Sequence, residues 1–397
     1  MNRLIISPTN NRLKGFLSFF EVKRDLKLIC LWEFVFCFGD GLFYYLLPVY
    51  IRQLNASPIE VGLLYAVYYL SWAITLMVGG FLADHFDPKK IMILGSLLWV
   101  PVPLVLAGAT NWNQLWLPMI LYGTYFGSSS TCVYILRSVP AERTMQAFGL
   151  WSASVALGYL FSPMIGGFLS STVGKQTVFF MATIFYAASI LPLIFISRAP
   201  KAEPRERQSV SKYSFSDFAS SKRLIMLCIF FTMIIFAIFL INPLITQFTH
   251  DVYHQSIFNL GVFGTATSAG WIFFSFALGK IGDKRSKMSA VLAATAICSS
   301  AFALIAMINN FPFLCFSTFL SGASMCIIGF IPAIIGSAAP ERYTGRWIAI
   351  GQTSINIASF GAPIIGGALY EVSPHFAFFT TISLLSFLTV AAIFKKL

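Results

Sequence analysis

Long apolar runs alternate with short polar connections along most of the chain. An α-helix needs about 20 apolar residues to cross the hydrocarbon core of a bilayer, and the runs reach that length. The pattern predicts twelve helices, at 28–51, 59–83, 90–110, 115–137, 147–170, 177–197, 224–249, 258–280, 288–308, 312–336, 347–370 and 376–394. The predicted fold class is therefore an all-α integral membrane protein with twelve transmembrane helices.

Composition and charge agree with this class. The chain is 57% hydrophobic and only 11% charged, too little polar surface to coat a water-soluble globule of this size. Of its 27 Lys and Arg, all but Arg52 and Lys175 fall in tails and connections on one side of the predicted membrane. The positive-inside rule places that side, with both termini, in the cytoplasm. The net charge of +12 thus reports orientation, and no nucleic-acid partner is expected.

Three short motifs recur in the second half of the chain at offsets of 199 or 200 residues. Gly80 and Asp84 correspond to Gly279 and Asp283, Glu142-Arg143 to Glu341-Arg342, and Pro163-x-x-Gly-Gly to Pro363-x-x-Gly-Gly. The repeat predicts two pseudo-symmetric six-helix bundles around a central cavity near mid-membrane. The predicted domains are a cytoplasmic tail 1–27, a first bundle 28–197, a cytoplasmic loop 198–223 and a second bundle 224–394.

Two carboxylates lie well inside a predicted span, and both are in the first helix. Glu33 and Asp40 are seven residues apart, so they share one helix face. Acidic groups within a membrane are costly and usually functional. They are candidates for binding a proton, a cationic substrate, or both in competition. The alternatives are a carboxyl hydrogen-bonded to a neighbouring helix for Asp40 and solvation near the interface for Glu33.

Aromatic and amide side chains are candidates for the cavity lining. Aromatic faces can hold hydrophobic cations, and amides at depth can bind substrate. Ordinary core packing or hydrogen bonds between helices would explain the same residues. The candidates are Tyr44, Tyr65, Tyr69, Trp72, Tyr122, Tyr125, Asn242, Gln352 and Asn356.

The loop after the second helix and the motif of the fifth helix resemble signatures of the major facilitator superfamily. The loop is Gly80-xxx-Asp84-His-Phe-Asp-Pro-Lys89-Lys90, and the fifth helix carries Gly149, Gly158, Pro163, Gly166 and Gly167. The resemblance covers residues 28–394. Within the superfamily, Asp40-Gly41 and Pro48 in the first helix resemble the proton-coupled drug exporters with twelve helices. Met119 stands where the fourth helix of those exporters usually carries an arginine. The resemblance implies the fold of that superfamily and favours export over uptake.

The loop residues form a predicted cytoplasmic gate. Asp84 can accept N–H groups at a neighbouring helix N-terminus or pair with an arginine, and its partner in the repeat is Asp283, followed by Lys284. Lys89 and Lys90 can also contact anionic lipid. Alternatively, the basic residues of this loop only reflect the positive-inside rule and have no gating role. In the fifth helix the glycines allow close packing and Pro163 bends the helix.

These features predict a secondary active transporter in the plasma membrane that exports lipophilic cationic or neutral compounds by proton-coupled alternating access. The expected partners are a small-molecule substrate, protons and the lipid bilayer, and a monomer suffices because one chain supplies both halves. A proton-coupled importer of a sugar or other neutral metabolite is the alternative, and a non-transporting membrane sensor a remote one. No catalytic, metal-binding or nucleotide-binding pattern is visible, so neither an enzyme nor a cofactor is expected.

Overall fold

The structure, a computed structural model, describes residues 24–124, 126–139, 143–198, 222–339 and 344–395. Labels α1 to α12 follow the twelve predicted segments, with letters where a segment is broken. The helices of the first half are α1a (Arg24–Tyr44), α1b (Leu47–Gln53), α2 (Pro58–His85), α3a (Pro88–Trp99), α3b (Pro101–Gly108), α4a (Trp116–Tyr122), α4b (Phe126–Ser138), α5 (Thr144–Thr172) and α6 (Lys175–Phe195).

The second half repeats this order. Its helices are α7a (Lys222–Ile241), α7b (Ile245–Asp251), α8 (Ile257–Lys284), α9 (Lys287–Met307), α10a (Phe311–Ser321), α10b (Ala323–Ala338), α11 (Thr344–Val372) and α12 (Pro374–Lys395). Every predicted helix is present within a few residues of its predicted ends. Ten helices of the described part are long and apolar enough to cross a membrane, or eleven if α1a and α1b form one bent span. The fourth segment consists of two shorter helices, and the count of twelve spans stays a prediction.

Capping residues fix several helix starts. Ser57 and Glu60 form a reciprocal capping box ahead of Pro58, the first residue of α2. The Asp87 side chain accepts the Lys89 N–H at 3.1 Å and caps α3a. Ser256 and Ser286 cap α8 and α9 in the same way. The polar connections thus satisfy backbone donors that a bilayer could not.

Breaks in the first and fourth segments recur in the seventh and tenth, whereas the break between α3a and α3b has no counterpart in α9. The first segment bends by 42° between α1a and α1b, and the seventh is interrupted by a 3₁₀ turn at Asn242–Leu244. Pro48 accounts for the first break, because a proline ring clashes with the carbonyl four residues earlier, here that of Tyr44. In the fourth and tenth segments the break falls at Gly123 and Gly322, which are 199 residues apart.

The same close approaches recur in each half. Gly166 packs against the backbone of Leu42 as Gly366 packs against that of Leu240. Gly123 lies against the backbone of α2, and Gly322 lies against that of α8. A side chain at these glycines would meet backbone atoms, so the bundles depend on small residues at these positions.

The larger contacts between the halves join α2 with α11, α5 with α8, and α1b with α7b. The first two pairs meet through glycines: Gly367 lies against Pro58 and Gly261 lies against Pro163. These contacts are at the end of the bundle remote from Arg24 and Lys395, called the distal end below. The two halves are therefore closed against each other at the distal end.

Candidate functional site

Asp40 is the centre of a buried polar cluster in the first half. Its side chain is 2% exposed. Oδ1 accepts hydrogen bonds from the hydroxyls of Tyr122 on α4a, at 2.7 Å, and Tyr186 on α6, at 2.6 Å. Oδ2 accepts one from Tyr159 on α5. Three O–H donors from three helices therefore hold the carboxylate.

Small residues give these helices access to Asp40. Its neighbours in sequence are Gly39 and Gly41. A Cβ at Gly39 would lie 2.8 Å from the Phe185 Cβ of α6, and one at Gly41 would collide with Ser162 of α5. Aromatic rings complete the surroundings, since Phe36 stacks on the Tyr186 ring at 4.9 Å. The carboxylate is thus enclosed on a tightly packed face of α1a, away from bulk water.

Glu33 lies about two helical turns before Asp40 on α1a and is half-buried. Its Oε2 accepts the indole N–H of Trp151 on α5 at 2.8 Å, and the Cys37 thiol donates to its Oε1 at 3.5 Å. Glu33 also borders a small cavity within the first half, between α1a, α3a and the fourth segment, together with Ser96 and Ser128. The two carboxylates therefore have different environments, one enclosed and one beside a cavity.

A cavity lies between the two halves, with about 650 Å³ of empty space including its open mouth. Helices α1 and α2 contribute a wall of tyrosines, and α7, α8 and α10 contribute a wall of hydroxyl groups. The lining includes Tyr44, Tyr45, Tyr65, Tyr69, Asn242, Thr246, Thr249, Phe263, Thr267, Phe302, Thr318, Ser321 and Ser324. The bend after Tyr44 places Tyr44 and Tyr45 in this lining.

Of the predicted lining residues, Tyr44, Tyr65, Tyr69 and Asn242 do border this cavity. The others occupy different places. Tyr122 binds Asp40, and Trp72 packs beside Tyr68 and Tyr69. Gln352 and Asn356 are half-buried on α11 and do not border the cavity. Tyr125 lies outside the described residues.

Sequence reasoning did not identify Tyr159 and Tyr186, nor the hydroxyl wall of the second half. A buried tyrosine or threonine in an apolar run looks the same whether it packs or binds. The only available signal for Tyr159 is its position one residue after Gly158, in the helix whose packing motif had been recognised. For the hydroxyl wall the signal is the concentration of Ser and Thr at 317–324.

The predicted gate residues are only partly described. Lys89 donates from Nζ to the carbonyls of Ile194, at 2.8 Å, and Ile196, at 2.7 Å, and so binds the end of α6. Lys90, Asp283 and Lys284 are exposed. The side chain of Asp84 lies outside the described part, as do the tail 1–23 and the loop 199–221. Gly80 lies within α2, and Gly149 has open space at its Cβ position.

Polar contacts join the halves at the distal end. Arg52 of α1b forms an ion pair with Asp251 of α7b, with 3.8 Å between Nε and Oδ2. The Tyr370 hydroxyl of α11 donates to the same carboxylate at 3.3 Å. Glu371 accepts the Ile59 N–H, 3.2 Å away, at the N-terminus of α2. Arg52, one of the two Lys and Arg residues outside the predicted cytoplasmic set, thus bridges the two halves.

Two similar helical bundles enclosing a cavity and meeting at one end form the architecture of a membrane transporter. The family model described as Major Facilitator Superfamily matches residues 29–328. The chain belongs to this superfamily, and it is a multi-pass membrane protein and a transporter, not an enzyme.

Known proteins similar to this chain include drug efflux pumps. The multi-drug resistance efflux pump PmrA of Streptococcus pneumoniae is 24% identical over 90% of this chain and 92% of its own. The quinolone resistance protein NorA of Staphylococcus aureus is 25% identical over 85% of this chain and 88% of its own. Among solved structures, the nucleoside transporter NupG superposes with a TM-score of 0.76 at 13% identity, over 94% of this chain and 98% of that one.

Proposed function

We propose that the protein is a proton-coupled exporter of lipophilic cationic or neutral small molecules in the plasma membrane, with the substrate in the cavity between the halves. The observation that carries the proposal is Asp40, a carboxylate enclosed in the first bundle and held by hydroxyls from three helices. A group that gains or loses charge there changes the packing preference of α4, α5 and α6 together.

Alternating access follows from the two-bundle architecture. With the termini in the cytoplasm, as the Lys and Arg distribution predicts, the closed distal end faces outward. Substrate would then reach the cavity from the cytoplasm. Opening outward requires the α2–α11 and α5–α8 contacts and the Arg52–Asp251 ion pair to separate. Glu33, beside its own cavity, is the second proposed proton site.

Proton movement in proteoliposomes tests the proposal. An imposed pH gradient and a panel of lipophilic cations and neutral drugs should give substrate-dependent proton flux in the wild-type protein. Asp40→Asn should abolish that flux, because the amide cannot carry the proton, while leaving insertion and folding intact. Wild-type rates of uphill transport by the Asp40→Asn, Glu33→Gln double variant would refute the proposed sites.

Import of a neutral metabolite is the second candidate. The observation that favours it is the cavity wall, where many hydroxyls and no charged residue of the described chain meet the empty space. The direction of substrate movement under a fixed proton gradient decides between export and import. Substrate uptake driven by inward proton movement would refute export and support import.

A further inference from the structure

We propose that the central cavity selects uncharged ring compounds that carry several N–H or O–H donors, and that it discriminates against permanent cations. This inference rests on the proposed role of the cavity as the substrate site. It narrows the substrate class from cationic or neutral compounds to neutral ones, and it comes from the hydrogen-bonding state and the charge of the two cavity walls.

The wall from the second half is a surface of hydrogen-bond acceptors. The hydroxyl of Thr318 donates to the Leu314 carbonyl of its own helix at 2.8 Å. Ser321 and Ser324 make equivalent bonds of 2.7 Å to carbonyls three residues earlier. Thr249 and Thr267 also donate to their own helices. Because the protons of these five hydroxyls are used, each of their oxygens has lone pairs left for a ligand, so the complementary ligand supplies the donors.

The wall from the first half is aromatic. Tyr44, Tyr65 and Tyr69 border the cavity from α1 and α2. Aromatic faces favour a flat ring in stacked or edge-on contact. A ring lying against these tyrosines would direct its N–H and O–H groups toward the hydroxyl wall opposite.

Charge decides between a neutral ring and a cationic one. Among the described residues, none that borders the cavity is charged. Asp40 is not in the lining, and both of its oxygens already accept hydrogen bonds from Tyr122, Tyr159 and Tyr186. A cation in the cavity would lose its hydration without direct contact with a counter-charge, and contact with tyrosine faces recovers only part of that loss.

Matched pairs of neutral and cationic ligands test the inference on the purified full-length protein in lipid nanodiscs. Nicotinamide and its cation 1-methylnicotinamide form one pair, and adenosine and the cationic 1-methyladenosine form the other. In equilibrium dialysis with radiolabelled ligand, the neutral member of at least one pair should bind about tenfold or more tightly than its cation. Equal or tighter binding of the cations, or no binding by any of the four, overturns the inference.

Variants of the hydroxyl wall give a second readout. Ser321→Ala and Ser324→Ala each remove one acceptor and should lower the affinity for the neutral ligand several-fold. The matched control is Ser359→Ala, a buried serine of α11 with the same type of bond to its own helix but outside the cavity. Equal weakening by the control, or none by the wall variants, contradicts the proposed binding mode.

Proton flux measured with the same ligands separates this inference from the proposed function. Binding of neutral ligands without Asp40-dependent proton movement would refute proton coupling and leave the neutral selectivity intact. Asp40-dependent proton movement driven by the cations, with no response to their neutral partners, would refute the selectivity and leave coupled transport intact.

Discussion

Gly367 lies in one of the close backbone contacts that close the distal end, and Gly367→Ala tests whether that closure belongs to one conformation. A Cβ there would lie 2.5 Å from the Pro58 carbonyl oxygen and 2.8 Å from the Ile59 Cα. Both are backbone atoms, so no side-chain rotation relieves the clash. Restoring ordinary contact requires α2 and α11 to separate by about 1 Å, and such overpacking costs about 1–3 kcal/mol.

An energy of this size is large for a two-state transporter. If the contact exists only in the conformation closed at the distal end, about 1–3 kcal/mol shifts the ratio of the two conformations by about 5- to 150-fold. We therefore expect Gly367→Ala to favour the conformation open at the distal end. Net transport should fall, because the cycle requires both conformations.

Distances between spin labels at Thr172 and Val372 measure this shift. Both residues are exposed at the distal ends of their bundles, one in each half. Pulsed electron spin resonance should show a longer distance population in Gly367→Ala. Gly361→Ala is the matched control, because it lies on the same helix and its Cβ would meet nothing within 4 Å. An unchanged distance distribution in a well-folded Gly367→Ala protein, or an equal shift in the control, refutes the reasoning.

Three further experiments, each with one or two substitutions, test individual contacts. Tyr186→Phe removes one of three donors to Asp40 and should lower the melting temperature of the purified protein, since a hydrogen bond to a charged group contributes about 1.5–3 kcal/mol; an unchanged melting temperature contradicts the cluster. Arg52→Gln and Asp251→Asn break a partly exposed ion pair, so a double-mutant cycle on transport rate should give a coupling of at most about 1 kcal/mol; a larger coupling would show a stronger lock. Asp87→Ala removes the cap of α3a and should cost about 0.5–2 kcal/mol of unfolding free energy, whereas Asp87→Asn should retain most of it.

Helix positions could be predicted because a transmembrane helix requires a long apolar run, and such a run is visible in the local hydropathy of the sequence. The repeat was equally accessible, and the paired glycine contacts confirm it: Gly166 with Leu42 and Gly366 with Leu240. The helix breaks were missed, because hydropathy does not register a local change in backbone direction. The bend after Tyr44 could have been predicted from Pro48, but only by considering the steric clash of its ring with the preceding helical turn.

The candidate site could be predicted only in part. Asp40 stands out in the sequence because it is an acid in an apolar run. Its partners do not, because Tyr122 and Tyr186 are 82 and 146 residues away in the chain and come together only when the bundle packs. The same limit applies to the cavity. Tyr69 borders it and Trp72, one turn later on α2, does not, a difference set by helix rotation and tilt.

The separation of Asp40 from the cavity constrains how protons and substrate can influence each other. Tyr159 donates to Asp40, and its ring lies edge-on to that of Tyr44, with centroids 6.2 Å apart. Tyr44 borders the cavity together with Tyr69 and with Asn242 of the opposite half. A neutral ligand would therefore not compete with the proton for one carboxylate, as direct exchange requires. In the proposed mechanism, coupling runs through these tyrosines and the packing of α1 against α5, so the proton and the ligand bias the same movement from separate sites.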